Sequence, residues 1–154
     1  MISITQAPVV QAEMLIRKPA AEVFEAFVNP EITTRFWFTR SSGRLEAGKK
    51  IRWDWEMYGV GDDIHVLAIE ENRRIRIESS DATQTEWLFT PRGEHETFVT
   101  IIPSGFAGDG DSVVQQAIDS MGGYTMVLCG LKALLEHNVV LNLVADKAPD
   151  AHVT

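Results

Sequence analysis

Hydrophobic residues recur with two different periods along the chain, and the change of period divides a β-rich body from a long final helix. Residues 9–17 are β-like and end at Lys18-Pro19, where the proline suits the first turn of a helix because its missing N–H is not needed there. Asn29-Pro30 ends that helix and can begin a second, short one from Glu31 to about Phe38. Four apolar residues at helical spacing define the first helix: Val23, Phe24, Phe27 and Val28.

Strand patterns fill the middle of the chain. Residues 50–57 alternate strictly between apolar and polar side chains, which places Ile51, Trp53, Trp55 and Met57 on one face. A hairpin turn at residues 92–96 joins the last two of the strands that follow. These predicted strands cover residues 63–71, 74–79, 85–90 and 97–102. Strands that succeed one another without intervening helices predict an antiparallel sheet.

The segment after the glycine-rich residues 105–110 predicts one amphipathic helix of roughly 25 residues. Ser112 with Gln115 forms a candidate capping box at its start, and Asn138 can end it. Its predicted apolar face comprises Val114, Ala117, Ile118, Met121, Thr125, Leu128, Leu131 and Leu135. This helix is the only predicted element long enough to cover one face of the sheet. We therefore predict an α+β helix-grip fold, in which a curved antiparallel sheet wraps around a long C-terminal helix, with two short helices after the first strand. Residues 1–154 form a single domain, with a tail from residue 139.

The charge and cysteine content limit the partners. The formal charge is -8 and the pI is near 4.9, which argues against nucleic acid and against anionic membranes. The single cysteine, Cys129, allows no intrachain disulfide and suits a reducing compartment. The N-terminal residues lack the basic start and apolar run of a signal peptide, so we expect a cytoplasmic protein.

Four segments carry a resemblance to a known family. They are residues 18–27 in the first helix, the pair Phe36-Trp37, the turn Pro103-Ser104-Gly105-Phe106, and residues 122–136 in the long helix. Together they resemble the START-like (SRPBCC) superfamily and, within it, the family of activator of heat shock protein 90 ATPase homologues. Tyr124 stands where that family usually has tryptophan. These motifs are mostly structural, so the resemblance implies the helix-grip fold more strongly than it implies an activity.

The tryptophans supply the candidate site. Trp53, Trp55 and Trp87 share one face of the predicted sheet, and if that face is concave they meet the long helix. Large flat rings with a few polar groups among them frame ligand pockets, whereas the alternative is that these rings simply fill the core. The predicted pocket lining comprises Trp37, Trp53, Trp55, Trp87, Phe89, Met121, Tyr124, Thr125 and Leu128.

Catalytic and metal-binding patterns give no candidate residues, and we predict no cofactor. The four histidines, at positions 65, 95, 137 and 152, show no metal-ligand spacing, and there is no nucleophile motif. The carboxylates of Asp54, Glu56 and Glu86 fall in the outward phase of their strands. Cys129 has apolar neighbours on the long helix and is expected to be a packed, unreactive thiol.

Three functions are compatible with these features. The leading hypothesis is binding of a small hydrophobic or aromatic molecule in a cavity between the sheet and the long helix. Because related START-like domains act as polyketide cyclases or aromatases, the second is an enzyme of that kind, with Tyr58, Tyr124 and Thr125 as its polar residues. The third, implied by the family resemblance, is an interaction module acting on a chaperone ATPase. In eukaryotic members this domain accompanies a chaperone-binding N-terminal domain, which we do not expect here.

A second apolar surface is predicted on the opposite face of the sheet. Leu88, Phe98 and Ile102 lie in the phase opposite to Trp87. Exposed apolar patches usually mark contacts. We therefore expect either the tail at residues 139–144 or a second subunit, in a homodimer, to cover them.

Overall fold

A seven-stranded antiparallel sheet forms the body of the protein in the computed structural model, which describes residues 1–154. The strand order is β1-β7-β6-β5-β4-β3-β2. The predicted α+β helix-grip fold is confirmed. The elements are β1 (Ala12–Ile16), α1 (Ala20–Val28), α2 (Pro30–Thr33), β2 (Arg40–Ser41), β3 (Lys50–Trp55), β4 (Val60–Glu70), β5 (Arg74–Glu78), β6 (Gln84–Pro91), β7 (Thr97–Ser104), α3 (Gly110–His137) and α4 (Leu143–Lys147).

The inward face of the sheet follows the predicted alternation. Trp87 lies opposite Ile101 on β7 and Ile75 on β5, and all three are buried. Successive side chains of a strand point to opposite faces, so one register places every second residue of β3, β5, β6 and β7 in the core. Asp54 and Glu86 lie on the other face as expected, in ion pairs with Arg52 and Arg74.

The second helix is shorter than predicted. It ends at Thr33 instead of continuing to Phe38. The Thr33 hydroxyl donates to the carbonyl of Ala26 at 2.6 Å, and the Thr34 hydroxyl donates to that of Pro30 at 2.7 Å. Side-chain bonds of this kind compete with continued helix. The chain then turns irregularly, so that Phe36 and Phe38 are both buried.

Helix α3 differs from its prediction at its start and on its buried face. Its N-cap is Asp109, which accepts from the Ser112 N–H at 2.8 Å, so the predicted capping box at Ser112 is wrong. Asn138 ends the helix with φ 52°, as predicted. Its buried residues include Val113, Ala117, Val127, Leu128, Leu131 and Leu134. Few residues of the N-terminal half are buried, so Ile118 and Met121 reach solvent instead of facing the sheet.

The C-terminal tail does not cover the outer face of the sheet. It lies against the segment that follows β3, where the Val153 N–H donates to the Met57 carbonyl at 2.9 Å. Leu88, Phe98 and Ile102 remain half-buried on the outer face. Of the two expected covers, a second subunit or residues 139–144, the tail therefore does not serve. None of the helices is both long and apolar enough to cross a bilayer.

Candidate aromatic binding site

Trp37 is the centre of a cluster of aromatic rings between the sheet and α3. Its ring centroid lies 4.9 Å from that of Trp53, 6.1 Å from that of Trp55 and 6.0 Å from that of Trp87. The Tyr124 ring is 5.8 Å away on the helix side. Edge-on and tilted contacts of this kind are the favoured geometry for aromatic pairs. Together with the direct contact between the Trp87 and Tyr124 rings, at 6.1 Å, the cluster joins the sheet to the long helix.

Strands, a helix and an irregular segment of the backbone position these rings. Trp53 and Trp55 are alternate residues of β3, so both point inward, and Trp87 points inward from β6. Tyr124 lies in the middle of α3. Trp37 belongs to the irregular segment between α2 and β2, next to Phe38, whose ring stacks on Trp53 at 4.6 Å.

An open cleft of about 350 Å³ lies beside this cluster. Its volume is at the lower end of the range for small-molecule pockets. We call it the aromatic cleft; it is lined by Trp37, Trp55, Asp119, Ser120, Gly123, Tyr124, Met126, Val127 and Val144. Most of these side chains are apolar, so the cleft suits an apolar molecule better than a charged one.

The structure brings some of the predicted pocket residues to this cleft and separates others from it. Trp37, Trp55 and Tyr124 line it. Four more are buried behind it, in the core: Trp53, Trp87, Phe89 and Leu128. Met121 and Thr125 are exposed on another side of α3, where the Thr125 hydroxyl donates to the Met121 carbonyl at 2.6 Å.

Four groups near the cleft can form hydrogen bonds inside the cluster. The hydroxyl oxygens of Tyr124 and Thr85 are 3.3 Å apart. Burial raises the pKa of the Tyr124 phenol to about 12, although the hydrogen bond to Thr85 opposes the shift. The indole N–H groups of Trp53 and Trp87 are buried and have no acceptor among the protein's atoms. At neutral pH the cluster is therefore uncharged and rich in donors.

Sequence reasoning missed six residues that line the cleft: Asp119, Ser120, Gly123, Met126, Val127 and Val144. A Cβ built on Gly123 would meet no atom within 4 Å, so the glycine faces open space. The signal was present in the sequence, because a Gly-Gly pair inside a helix is unfavourable by roughly 1 kcal/mol per glycine relative to alanine. Val144 comes from the tail, where the Tyr58 hydroxyl donates to its carbonyl. Nothing in the periodicity of the chain places Val144 at the cleft.

A larger depression of about 920 Å³ lies elsewhere, between α1, the β2–β3 loop and the C-terminal end of α3. It contains none of the predicted pocket residues. Its rim is charged, and Arg44 forms two 2.8 Å hydrogen bonds to the Glu25 carboxylate. This pair lowers the pKa of Glu25, chiefly through the hydrogen bond from Arg44. Because charged side chains line its rim, this depression suits an apolar ligand less well than the smaller aromatic cleft does.

Solved structures with the same fold are numerous. A protein from Staphylococcus saprophyticus is 31% identical, with a TM-score of 0.75 over 87% of this chain and 96% of that one. The Aha1 dimer from Colwellia psychrerythraea is 18% identical, with a TM-score of 0.73 over 84% of this chain and 97% of that one. DynU16, a protein in the dynemicin biosynthetic locus, is 22% identical, with a TM-score of 0.71 over 86% of this chain and 48% of that one. A comparison with curated proteins gave no significant match.

The sheet, the long helix across it and the cleft between them define a helix-grip protein of the START-like (SRPBCC) class. The chain belongs to the family described as Activator of Hsp90 ATPase homolog 1-like protein, whose sequence model matches residues 17–136. The resemblance drawn from the sequence motifs is thereby confirmed. The match ends one residue before the end of α3, so the tail that supplies Val144 lies outside it.

Proposed function

We propose that the protein binds a small apolar or aromatic molecule in the aromatic cleft. The observation that carries the proposal is the open space above Gly123, bordered by the rings of Trp37, Trp55 and Tyr124. All three rings are only half-buried, so a ligand would remove further apolar ring surface from water. Such burial contributes about 25 cal/mol per Å², before the cost of association is subtracted.

The chemistry of the lining supports binding more than catalysis. A general acid or base works best with a pKa near the operating pH. The Tyr124 phenol, with a pKa of about 12, stays protonated at neutral pH, so it can donate a hydrogen bond but does not act as a base. The carboxylate at the rim, Asp119, is exposed and accepts a hydrogen bond from Gln115 at 3.0 Å. A cyclase-like reaction would have to rely on Tyr124 as a donor, so turnover that is lost on Tyr124→Phe would favour the enzymatic alternative.

Native mass spectrometry of the freshly purified protein tests the binding proposal, followed by extraction and identification of any released compound. The same spectrum is then recorded after incubation with excess fluorene, a flat apolar aromatic probe. We expect a drug-sized adduct in one or both spectra that is lost on denaturation. A protein that shows only its own mass in both spectra would contradict the proposal.

We further propose that the outer face of the sheet contacts a second copy of the chain. Leu88, Phe98 and Ile102 form a half-buried apolar strip there, and Arg92 lies 5.1 Å from the Phe98 ring centroid. The similar Aha1 protein from Colwellia psychrerythraea forms a dimer. Light scattering should give twice the chain mass for the natural protein and the single-chain mass for Phe98→Glu. A monomer at high concentration would rule out this partner.

A further inference from the structure

Two buried indole N–H groups lie unpaired in the aromatic cluster. Trp53 is 3% exposed and Trp87 is 1% exposed, and neither Nε1 atom has an acceptor within the protein. A buried donor without a partner is unfavourable by about 1–3 kcal/mol. Most buried polar groups in native proteins are hydrogen-bonded, so two exceptions in one cluster require a physical reason.

Both unpaired indoles pack against the same side chain. Trp37 contacts Trp53 with a centroid distance of 4.9 Å and Trp87 with one of 6.0 Å. Trp37 lies outside the helices and strands, because α2 ends at Thr33 and β2 begins at Arg40. Trp37 borders the aromatic cleft on one side and a smaller opening of about 90 Å³ on the other. The Trp37 ring can therefore leave its place without unfolding a regular element.

Three of the rings that contact Trp37 carry hydrogen-bond donors and no charge. The N–H groups of Trp53 and Trp87 and the protonated hydroxyl of Tyr124 can all donate. The lining of the aromatic cleft contains no lysine, arginine or histidine. An anionic ligand would lose its hydration without gaining a cation, which is costly in an apolar site. A neutral molecule with an acceptor oxygen fits these surroundings.

We propose that Trp37 is a displaceable plug, and that a flat, neutral aromatic molecule with a carbonyl oxygen takes the place of its indole. The ligand oxygen then accepts hydrogen bonds from the indole N–H groups of Trp53 and Trp87. The inference rests on the proposed binding function and narrows the ligand class from apolar molecules to aromatic ketones. It also explains why tryptophan, rather than phenylalanine, occupies positions 53 and 87.

A matched pair of probes tests the role of the two N–H groups. Fluorenone and fluorene have the same ring skeleton, but only fluorenone carries a carbonyl oxygen. We expect fluorenone to bind roughly tenfold more tightly than fluorene, because each neutral hydrogen bond contributes about 0.5–1.5 kcal/mol. In the Trp53→Phe and Trp87→Phe variants the preference falls, and in the double variant it drops to about twofold or less. Trp55→Phe is the matched comparison: it removes an indole from the cleft wall and should weaken the binding of both probes, while the ratio of their affinities stays the same.

Fluorene affinity separates the donor role from a loss of folding or of the cleft. Variants that retain fluorene binding have a folded cleft, so the preference for fluorenone reports the hydrogen bonds alone. If the natural protein binds both probes equally and the phenylalanine variants do not alter this, the donor inference is overturned while aromatic binding stands. If neither probe binds, the proposed function fails with it.

Trp37→Ala tests the plug separately. We expect this variant to bind both probes several-fold more tightly than the natural protein, because no ring has to be displaced before the ligand enters. A wall residue would behave in the opposite way, since its removal takes away ring contacts. Weaker or unchanged binding of fluorene in Trp37→Ala would therefore overturn the plug.

Discussion

A few side chains decide what the aromatic cleft can hold, and they do so by size and hydrogen bonding rather than by charge. Trp37 and Trp55 border the cleft with flat rings, Gly123 leaves open space, and Tyr124 supplies a hydroxyl that stays protonated at neutral pH. None of these properties depends on an ion pair. Binding in this cleft should consequently respond weakly to salt.

Tyr124 makes the stability of the protein sensitive to alkaline pH. Its pKa is raised to about 12 in the folded state by burial, against an ordinary value of 10.0. The stabilisation is therefore fully present below pH 10 and is lost as the pH rises from about 10 to 12. The loss amounts to at most about 1.4 kcal/mol per pH unit, because a single group releases one proton.

Chemical denaturation at several alkaline pH values checks this expectation against Tyr124→Phe. The natural protein should lose stability relative to the variant above pH 10, and the two should run parallel below it. A constant difference across pH 9–12 would show that the Tyr124 phenol is not held in its neutral form by burial.

The residues of the candidate site could be predicted from the sequence only where the period of the hydrophobic pattern determines which way their side chains point. Alternation along β3 and β6 places Trp53, Trp55 and Trp87 inward, because a strand offers two faces only. The alternation does not distinguish inward rings that border open space from inward rings that are fully packed. Met121 was assigned to the pocket by helical spacing, but it is 42% exposed, since spacing does not reveal how much of a helix is covered.

At the scale of elements, the two halves of α3 differ in how they pack against the rest of the protein. The C-terminal half packs into the core through Val127, Leu128, Leu131 and Leu134. The N-terminal half carries the Gly122-Gly123 pair and leaves Ile118 60% exposed. The helix thus combines a firmly packed end with a middle section that borders the open cleft.

The start of α3 depends on Asp109. Its carboxylate accepts from the Ser112 N–H at 2.8 Å, whereas the Ser112 hydroxyl contacts the Gln116 amide at 3.0 Å. Asp109→Ala should lower the free energy of unfolding by about 1 kcal/mol. Ser112→Ala should lower the free energy of unfolding by less. This substitution removes the capping residue that the sequence pattern favours. Urea denaturation of the two variants compares them directly, and a larger effect of Ser112→Ala would contradict the observed cap.

Helix boundaries could be predicted from the sequence where a residue with a strong backbone preference marks them. Pro19 and Asn138 mark helix ends in both prediction and structure. The short α2 could not be predicted to end at Thr33, because its apolar spacing continues to Trp37. Its end is set by threonine hydroxyls that bond to the backbone and by the burial of Phe36 and Phe38 in the core.

At the scale of the whole molecule, the C-terminal tail adds structure beyond the residues that match the family model. Residues 139–154 follow α3, and Val144 from this tail forms part of the cleft wall. The tail is fixed to the turn after β3, where the Tyr58 hydroxyl donates to the Val144 carbonyl and the Tyr58 ring meets the His152 ring at 5.3 Å. The proposed ligand site therefore includes a residue from outside the family match.

Tyr58→Phe should loosen the tail without disturbing the core. The variant loses the hydrogen bond to Val144 but keeps the aromatic ring, so the sheet and α3 retain their packing. Hydrogen exchange measured by mass spectrometry should become faster in peptides from residues 143–153 and stay unchanged in those from β5 to β7. Unchanged exchange in the tail would show that Tyr58 does not hold it.

The most direct test of the binding site compares fluorene affinity in Gly123→Leu and Gly122→Leu, measured by isothermal titration calorimetry. Neither substitution meets another atom within 4 Å at its Cβ, and both replace a helical glycine with a better helix former. Only Gly123 lines the aromatic cleft. Gly123→Leu should weaken fluorene binding at least tenfold, while Gly122→Leu should bind like the natural protein. Equal affinity in the two variants would show that the ligand binds elsewhere.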